Sequence, residues 1–479
     1  MRFVIVGAGM AGVLAAITLR EAGFTDVTVY EKADRLGGTW RENTYPGIAC
    51  DVPAHLYSYT FAPNPEWSHV FAPGAEILAY FENVALHHGV DRLIRYGTQV
   101  RRLDYDGNRW RIETSNGDGD EADVVIAATG VLHHPRYPDI GGLNQFAGKV
   151  FHSARWDHDT ALAGARLGVV GTGSSAVQIV GAVVDKVAEI RLFQRTPQWM
   201  LPVDNPPIAE SDRVRYRADH TALTVLRNEL NTNFVAHFAN AVVDADSSQL
   251  KLLQQICQAN LEDNVKDPLL REKLRPDYRV GCKRLVVSPS FYGAIQRANA
   301  HLVTERIVRV EAPGVRTEDD VLHELDVLVL ATGFRVDRFL RPIEVVGRGG
   351  VRLDDVWAQR PVAYLSVSVP DFPNLFMLNG PNGPVGNFSL IDAAEAQIGY
   401  LMQLIELLHG GAIRQISATQ QATSRFEAER VAAATKTVWV TGCRSWYLDD
   451  HGVPAAWPWS FDRFRDVMQR PALTDYELV

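Results

Sequence analysis

The feature that most constrains this 479-residue chain is a glycine pattern that occurs twice, each time between a strand-like and a helix-like run. Near the start, the apolar run Phe3–Val6 leads into Gly7-x-Gly9-x-x-Gly12. Residues 11–21 then continue with helical periodicity, and a second apolar run stands at Val27–Tyr30. The same order returns with Arg166–Val170, Gly171-x-Gly173-x-x-Ala176, a helical run over 174–184 and a strand-like run at Glu189–Phe193. Strand, glycine turn, helix and strand in this order specify parallel strands joined by crossover helices. The glycines permit the tight turn, the approach of a pyrophosphate and close helix packing, while the helix N-terminus faces the anion. The expected fold is therefore α/β, with two Rossmann-like dinucleotide-binding domains.

The side chain that closes the second strand of each unit distinguishes the two sites. Glu31 stands 19 residues after Gly12, where a carboxylate can accept hydrogen bonds from a ribose diol, and this site suits FAD. Arg195 stands 19 residues after Ala176, in Gln194-Arg195-Thr196-Pro197. A carboxylate there would repel the extra phosphate of NADP. Arg195 can instead bind it in a bidentate, charge-assisted contact, helped by the Thr196 hydroxyl, with Ser174 opening the helix at the same turn. NADPH is preferred to NADH on this reading. Two such sites imply transfer of electrons from a nicotinamide to a flavin, ahead of oxygen or disulfide chemistry.

Between residues 205 and 276 the pattern becomes wholly helical, as in 223–231 and 249–264, and reads as an insertion. Strand-like segments return at 301–310 and 326–330. A Gly- and Pro-rich stretch at 372–387 then precedes a final helix over about 391–408, stopped by Gly410-Gly411. The expected division is 1–146 with 335–479 for FAD, 147–204 with 277–334 for NADP, and 205–276 as the helical insertion. A net charge of −9 with no basic run argues against nucleic acid as a partner. The four cysteines, Cys50, Cys257, Cys282 and Cys443, lie far apart and show no metal-ligand spacing, so no metal is expected and a reducing, cytoplasmic setting fits. The first apolar run is too short for a signal peptide and no run is long enough to span a bilayer, so no membrane anchor is expected. Oligomeric state is left open.

Disulfide reductases of this organisation need a redox-active Cys-x-x-Cys or similar pair, and the sequence has none. Oxygenases need positive charge near the flavin and exclusion of water. In that context Phe146-x-Gly148-x-x-x-His152-x-x-x-Trp156-Asp157 resembles the Baeyer–Villiger monooxygenases, the class B flavoprotein monooxygenases that act on ketones. A second pattern, Gly38-Thr39-Trp40-x-x-x-x-Tyr45-Pro46-Gly47-x-x-x-Asp51, also resembles that family. So do the Ala-Thr-Gly segments at 128–130 and 331–333. The resemblance implies FAD, NADPH and dioxygen converting a ketone to an ester or lactone through a C4a-peroxyflavin.

The same resemblance assigns Arg284, in Gly281-Cys282-Lys283-Arg284, as the active-site arginine that stabilises developing negative charge, with Asp51 orienting it. Gly38, Thr39 and Trp40 fall at the FAD site. Asn382, within Gly380-Pro381-Asn382-Gly383-Pro384, is expected to meet the flavin where that loop enters the last helix. Phe146, Gly148, His152, Trp156 and Asp157 are fingerprint residues, and His152 reads as structural rather than as a base. A C-terminal segment, Gly442-Cys443-Arg444-Ser445-Trp446-Tyr447, resembles one seen in family members. Two other functions fit the same sites: a flavin monooxygenase oxidising nitrogen or sulfur, and a redox-responsive flavoprotein that does not oxygenate.

Overall fold

The computed structural model describes residues 1–479, in which two five-stranded parallel sheets carry the two glycine turns. The first runs in the order Leu375–Met377, Val124–Ala127, Phe3–Val6, Val27–Tyr30, Ile94–Arg95. Its central strand is buried on both faces, and alternate residues enter different clusters. Phe3 and Ile5 join Leu14 and Leu401 on one side, whereas Val4 and Val6 join Trp110 and Trp357 on the other. Helix α1 (Met10–Glu21) covers the first side, and an antiparallel sheet built on Val100–Tyr105 and Trp110–Thr114 covers the second.

The second sheet runs Ala300–Val303, Glu189–Phe193, Arg166–Val170, Val327–Leu330, Lys149–His152, with α2 (Ser174–Val183) packed on it through Ala176, Val177, Ile179 and Val180. The chain leaves the first sheet after Val124–Ala127 and returns beside that same strand at Leu375–Met377. The two sheets are thus joined by two crossings. The segment expected as one strand over 301–310 is divided in the structure. Ala300–Val303 joins the parallel sheet and Ile307–Glu311 forms an antiparallel pair with Gly314–Thr317, because the polar Thr304-Glu305-Arg306 breaks the run.

Between Glu189–Phe193 and Ala300–Val303 lie Glu210–Ala218, α3 (His220–Phe234), α4 (Ser248–Asn264) and Pro268–Leu274. Asp219 caps α3 by accepting from Thr221 N and Ala222 N, and Ser247 caps α4. Helix α3 buries only Leu223 along its own length and is anchored by Arg227, which donates to Leu56 O at 2.8 Å and pairs with Asp392. Asp392 lies in α5 (Leu390–His409), which ends at Gly410.

Helix α5 is not the last helix, contrary to the expectation. Helix α6 (Gln420–Ala434) and Phe461–Gln469 come after it. Helix α6 escaped detection because it has no clean apolar stripe: the largest side chain it fully buries is Arg430, 1% exposed and paired with Glu427. The reading of four widely spaced cysteines in a reducing setting is also corrected. Cys282 and Cys443 form a disulfide across a separation of 161 residues, which no local spacing reveals, while Cys50 and Cys257 are buried thiols. No helix is long and apolar enough to cross a membrane.

Candidate active site between the two nucleotide folds

Each glycine turn is built around a contact that any side chain would block. Gly7 has φ +102°, and a Cβ there would lie 2.6 Å from Ala128 O. A Cβ on Gly12 would lie 1.9 Å from Gly7 O, so only glycine lets α1 approach the turn. A Cβ on Gly9 meets nothing nearer than Gly38 Cα at 3.6 Å, leaving room between two glycines at an uncapped helix N-terminus. Glu31 is buried below this opening, its carboxylate accepting from Ala8 N and Ala33 N at 2.9 Å and from Arg41 Nη1 at 3.0 Å. Thr39 is exposed beside it, and Trp40 donates to Tyr57 Oη at 3.2 Å. These features fit a dinucleotide whose pyrophosphate sits against backbone.

The second turn repeats the arrangement. A Cβ on Gly171 would lie 2.3 Å from Ala331 O, whereas a Cβ on Gly173 would meet nothing within 4 Å, and Ala176 is fully buried. Ser174 begins α2, whose N-terminus is uncapped. Arg195 is exposed at the end of its strand, and the Thr196 carbonyl accepts from the Thr172 hydroxyl at 2.7 Å. A residue passed over in the sequence joins them. Lys283 lies 4.7 Å from the centre of the Tyr278 ring, and burial together with the nearby Arg195 charge lowers its pKa. Neither cation forms an ion pair. In sequence Lys283 looks like half of a surface Lys-Arg pair, so nothing local reveals that it lies over Tyr278 with the Arg195 charge nearby.

The fingerprint residues brace the junction of the two sheets. A Cβ on Gly148 would lie 2.2 Å from Asp326 O and 2.7 Å from the Phe146 ring, so the pair packs only without a side chain at 148. His152 is fully buried, accepts from Ala154 N at 3.1 Å and packs on Tyr137 and Phe334, one from each crossing. Burial lowers its pKa to about 4, which leaves it neutral near pH 7. Trp156 packs edge-on to Phe151, and Asp157 closes a turn by accepting from Thr160 and Asp159 N. None of the five forms a hydrogen bond or ion pair with Arg284.

The 38–51 segment spans the two folds. Tyr45 donates to Gln178 Oε1 at 2.9 Å, Gln178 donates to Ala49 O at 3.1 Å, and a Cβ on Gly47 (φ +81°) would lie 2.6 Å from Gln178 O. The Tyr-Pro-Gly turn thus rests on α2 and sends Asp51 toward Arg284. Arg284 Nε donates to Asp51 Oδ2 at 3.1 Å, its Nη2 bonds the same oxygen, and its Nη1 donates to Gly386 O at 2.6 Å. Asp51 and Gly386 thus occupy three of the five guanidinium N–H groups, the Tyr447 hydroxyl lies within bonding reach of the same guanidinium, and the side chain stays 31% exposed. Burial alone would lower the Arg284 pKa, but the Asp51 charge and bonds from Asp51 and Tyr447 outweigh it, and the net shift is upward. The group is a fixed cation. Asn382 (φ +67°) is buried, and its side chain accepts from Ala363 N at 3.2 Å and donates to Ala455 O at 3.5 Å.

Residues 4–251 match the family model described as pyridine nucleotide-disulphide oxidoreductase, which covers both fingerprints. The chain is 45% identical over 474 residues to an uncharacterized monooxygenase of Mycobacterium tuberculosis, covering 99% of this chain and 95% of that protein. It is 40% identical over 484 residues to a Baeyer–Villiger monooxygenase of Streptomyces coelicolor, covering 100% and 93%. Among solved structures, it is similar to NADP⁺-bound cyclohexanone monooxygenase from Rhodococcus sp. Phi1, with TM-score 0.88, 30% identity and 100% and 98% coverage. NADP-bound oxidized steroid monooxygenase gives TM-score 0.89 at 30% identity, with 100% and 99% coverage.

Proposed function

This chain belongs to the Baeyer–Villiger monooxygenase family, and we propose that its Arg284–Asp51 pair serves the conversion of a ketone to an ester or lactone with NADPH and dioxygen. The observation that carries the residue roles is a guanidinium bonded to a carboxylate from the other fold and left partly exposed.

The residues present fit both cofactors. Gly7, Gly9, Gly12 and Glu31 would hold FAD, with Gly38, Thr39 and Trp40 closing over it. Gly171, Gly173, Ser174, Arg195, Thr196 and Lys283 would hold NADPH. FAD reduced by NADPH supplies the electrons that activate dioxygen. Arg284 offers permanent positive charge where negative charge develops on oxygen, first from dioxygen and then on the carbonyl under attack. Asp51 keeps that cation in place and limits its excess charge. Arg195 and Lys283 sit where two unpaired cations favour the extra phosphate of NADPH. His152, neutral and enclosed, holds the crossings together and takes no proton from substrate. A cytoplasmic setting belongs to the same reading.

Incubation of the FAD-loaded enzyme with NADPH, air and a panel of ketones and a thioether tests this. Esters or lactones are expected from at least one ketone. Sulfoxide as the sole product moves the enzyme to heteroatom oxidation, and hydrogen peroxide with no organic product removes the oxygenase assignment.

A further inference from the structure

One buried polar side chain beside Arg284 is not used by the mechanism above. Tyr447 is 4% exposed, and its hydroxyl donates to Gly386 O at 3.2 Å, the same carbonyl that accepts from Arg284 Nη1 at 2.6 Å. Its ring is fixed from both sides, stacked on Trp439 at 5.1 Å and close to Trp446 at 4.2 Å. Gly386 has φ +95°, and a Cβ there would lie 2.5 Å from the Tyr447 oxygen, so the close approach of hydroxyl to carbonyl requires glycine. The Cys282–Cys443 disulfide ties the segment two residues before Arg284 to the segment four residues before Tyr447.

We propose that Tyr447 is a positioning residue for Arg284, its hydroxyl holding the Gly386 carbonyl in the orientation that anchors the guanidinium edge opposite Asp51. A glycine carbonyl in a loop is free to turn, and a second donor on the same oxygen restrains it. Asp51 alone grips Nε and Nη2 and leaves rotation about that contact open. The Gly386 carbonyl closes this freedom, so the guanidinium plane keeps one orientation. Burial raises the Tyr447 pKa against the opposing Arg284 charge, so the phenol remains a neutral donor at working pH.

The role rests on the ketone-oxygenating reading for its kinetic consequence but not for its geometry. Tyr447→Phe keeps the stacked ring and removes only the hydroxyl. The expected variant melts with the wild type, binds FAD fully and is reduced by NADPH within about twofold of the wild-type rate. Its kcat for ester formation falls about tenfold at unchanged KM for the ketone, the size of one lost hydrogen bond, and hydrogen peroxide replaces the missing product. A crystal structure of the FAD-loaded variant should show the Arg284 guanidinium displaced from Gly386 O. Unchanged coupling with Arg284 in place overturns the proposal. Parallel losses in melting temperature, FAD binding and reduction rate also overturn it, because they describe a packing residue. If the wild type makes no ester from any ketone, the proposed function fails, and the position of Arg284 in the variant still decides the role of Tyr447.

Discussion

Arg284 combines a charge that never titrates with a plane held by two acceptors from different parts of the chain. Arg284→Ala is expected to leave reduction of the flavin by NADPH nearly unchanged while ester formation falls by about 100-fold or more, the cost of losing a preorganised donor to developing negative charge. Stopped-flow reduction and product analysis on the same preparation separate the two halves, and normal product formation removes Arg284 from the chemistry. Arg195 and Lys283 are the residues proposed to hold NADPH. Each single alanine variant should raise the KM for NADPH by about 10- to 100-fold, as expected for one charge-assisted bond, with little effect on NADH. An unchanged preference between the two nucleotides refutes the phosphate role. Arg195 is legible in the sequence because it sits at a fixed distance from a glycine fingerprint. Lys283 and Tyr447 are not, because each gains its meaning from a neighbour far along the chain.

At the scale of elements, the 38–51 segment is a bridge rather than a loop. Its Tyr45 hydroxyl and Gly47 backbone rest on α2, and the same segment ends in Asp51. Gly47→Val forces a side chain into the Gln178 carbonyl and should cost about 1–3 kcal/mol of stability, as overpacking typically does. Because α1 and its glycine turn are untouched, FAD binding should persist while NADPH-driven reduction slows. FAD stoichiometry and the reductive rate constant are the measurements, and equal loss of both counts against the bridging role. The helices show where periodicity succeeds and fails as a guide. Helices α1, α2 and α5 carry apolar faces against the sheets and are readable. Helix α6 turns Arg430 inward against Glu427 and the Pro454 carbonyl, and its pattern is lost.

For the whole molecule, the Cys282–Cys443 bridge gives a direct count. Denatured, unreduced protein should yield two reactive thiols, from Cys50 and Cys257, and four after reduction. Four before reduction removes the bridge. Acid should also weaken the fold. His55 and His152 are buried and His133 is half-buried beside Lys32, and burial, joined at His133 by the Lys32 charge, lowers their pKa values from 6.5 to about 4 for His55, about 4 for His152 and about 3 for His133. Below about pH 6.5 the unfolded chain binds protons that these folded histidines refuse, so their contribution to stability falls with pH until their folded pKa values are reached. Thermal melts between about pH 7.5 and pH 5 should show a falling midpoint, with a smaller fall in His152→Gln. An equal fall in that variant excludes His152 from the effect.

The sequence by itself determined the two glycine turns, the nucleotides they suit and the family, because tight turns, helix N-termini and the spacing of Glu31 and Arg195 are local properties of a strand–turn–helix unit. Only the tertiary structure decided that Arg284 shares one carbonyl with Tyr447, that Lys283 lies near Arg195 and that Cys282 meets Cys443. Those contacts join segments up to 163 residues apart, in the case of Arg284 and Tyr447. Their partners are selected by packing in space, to which no local period or spacing responds.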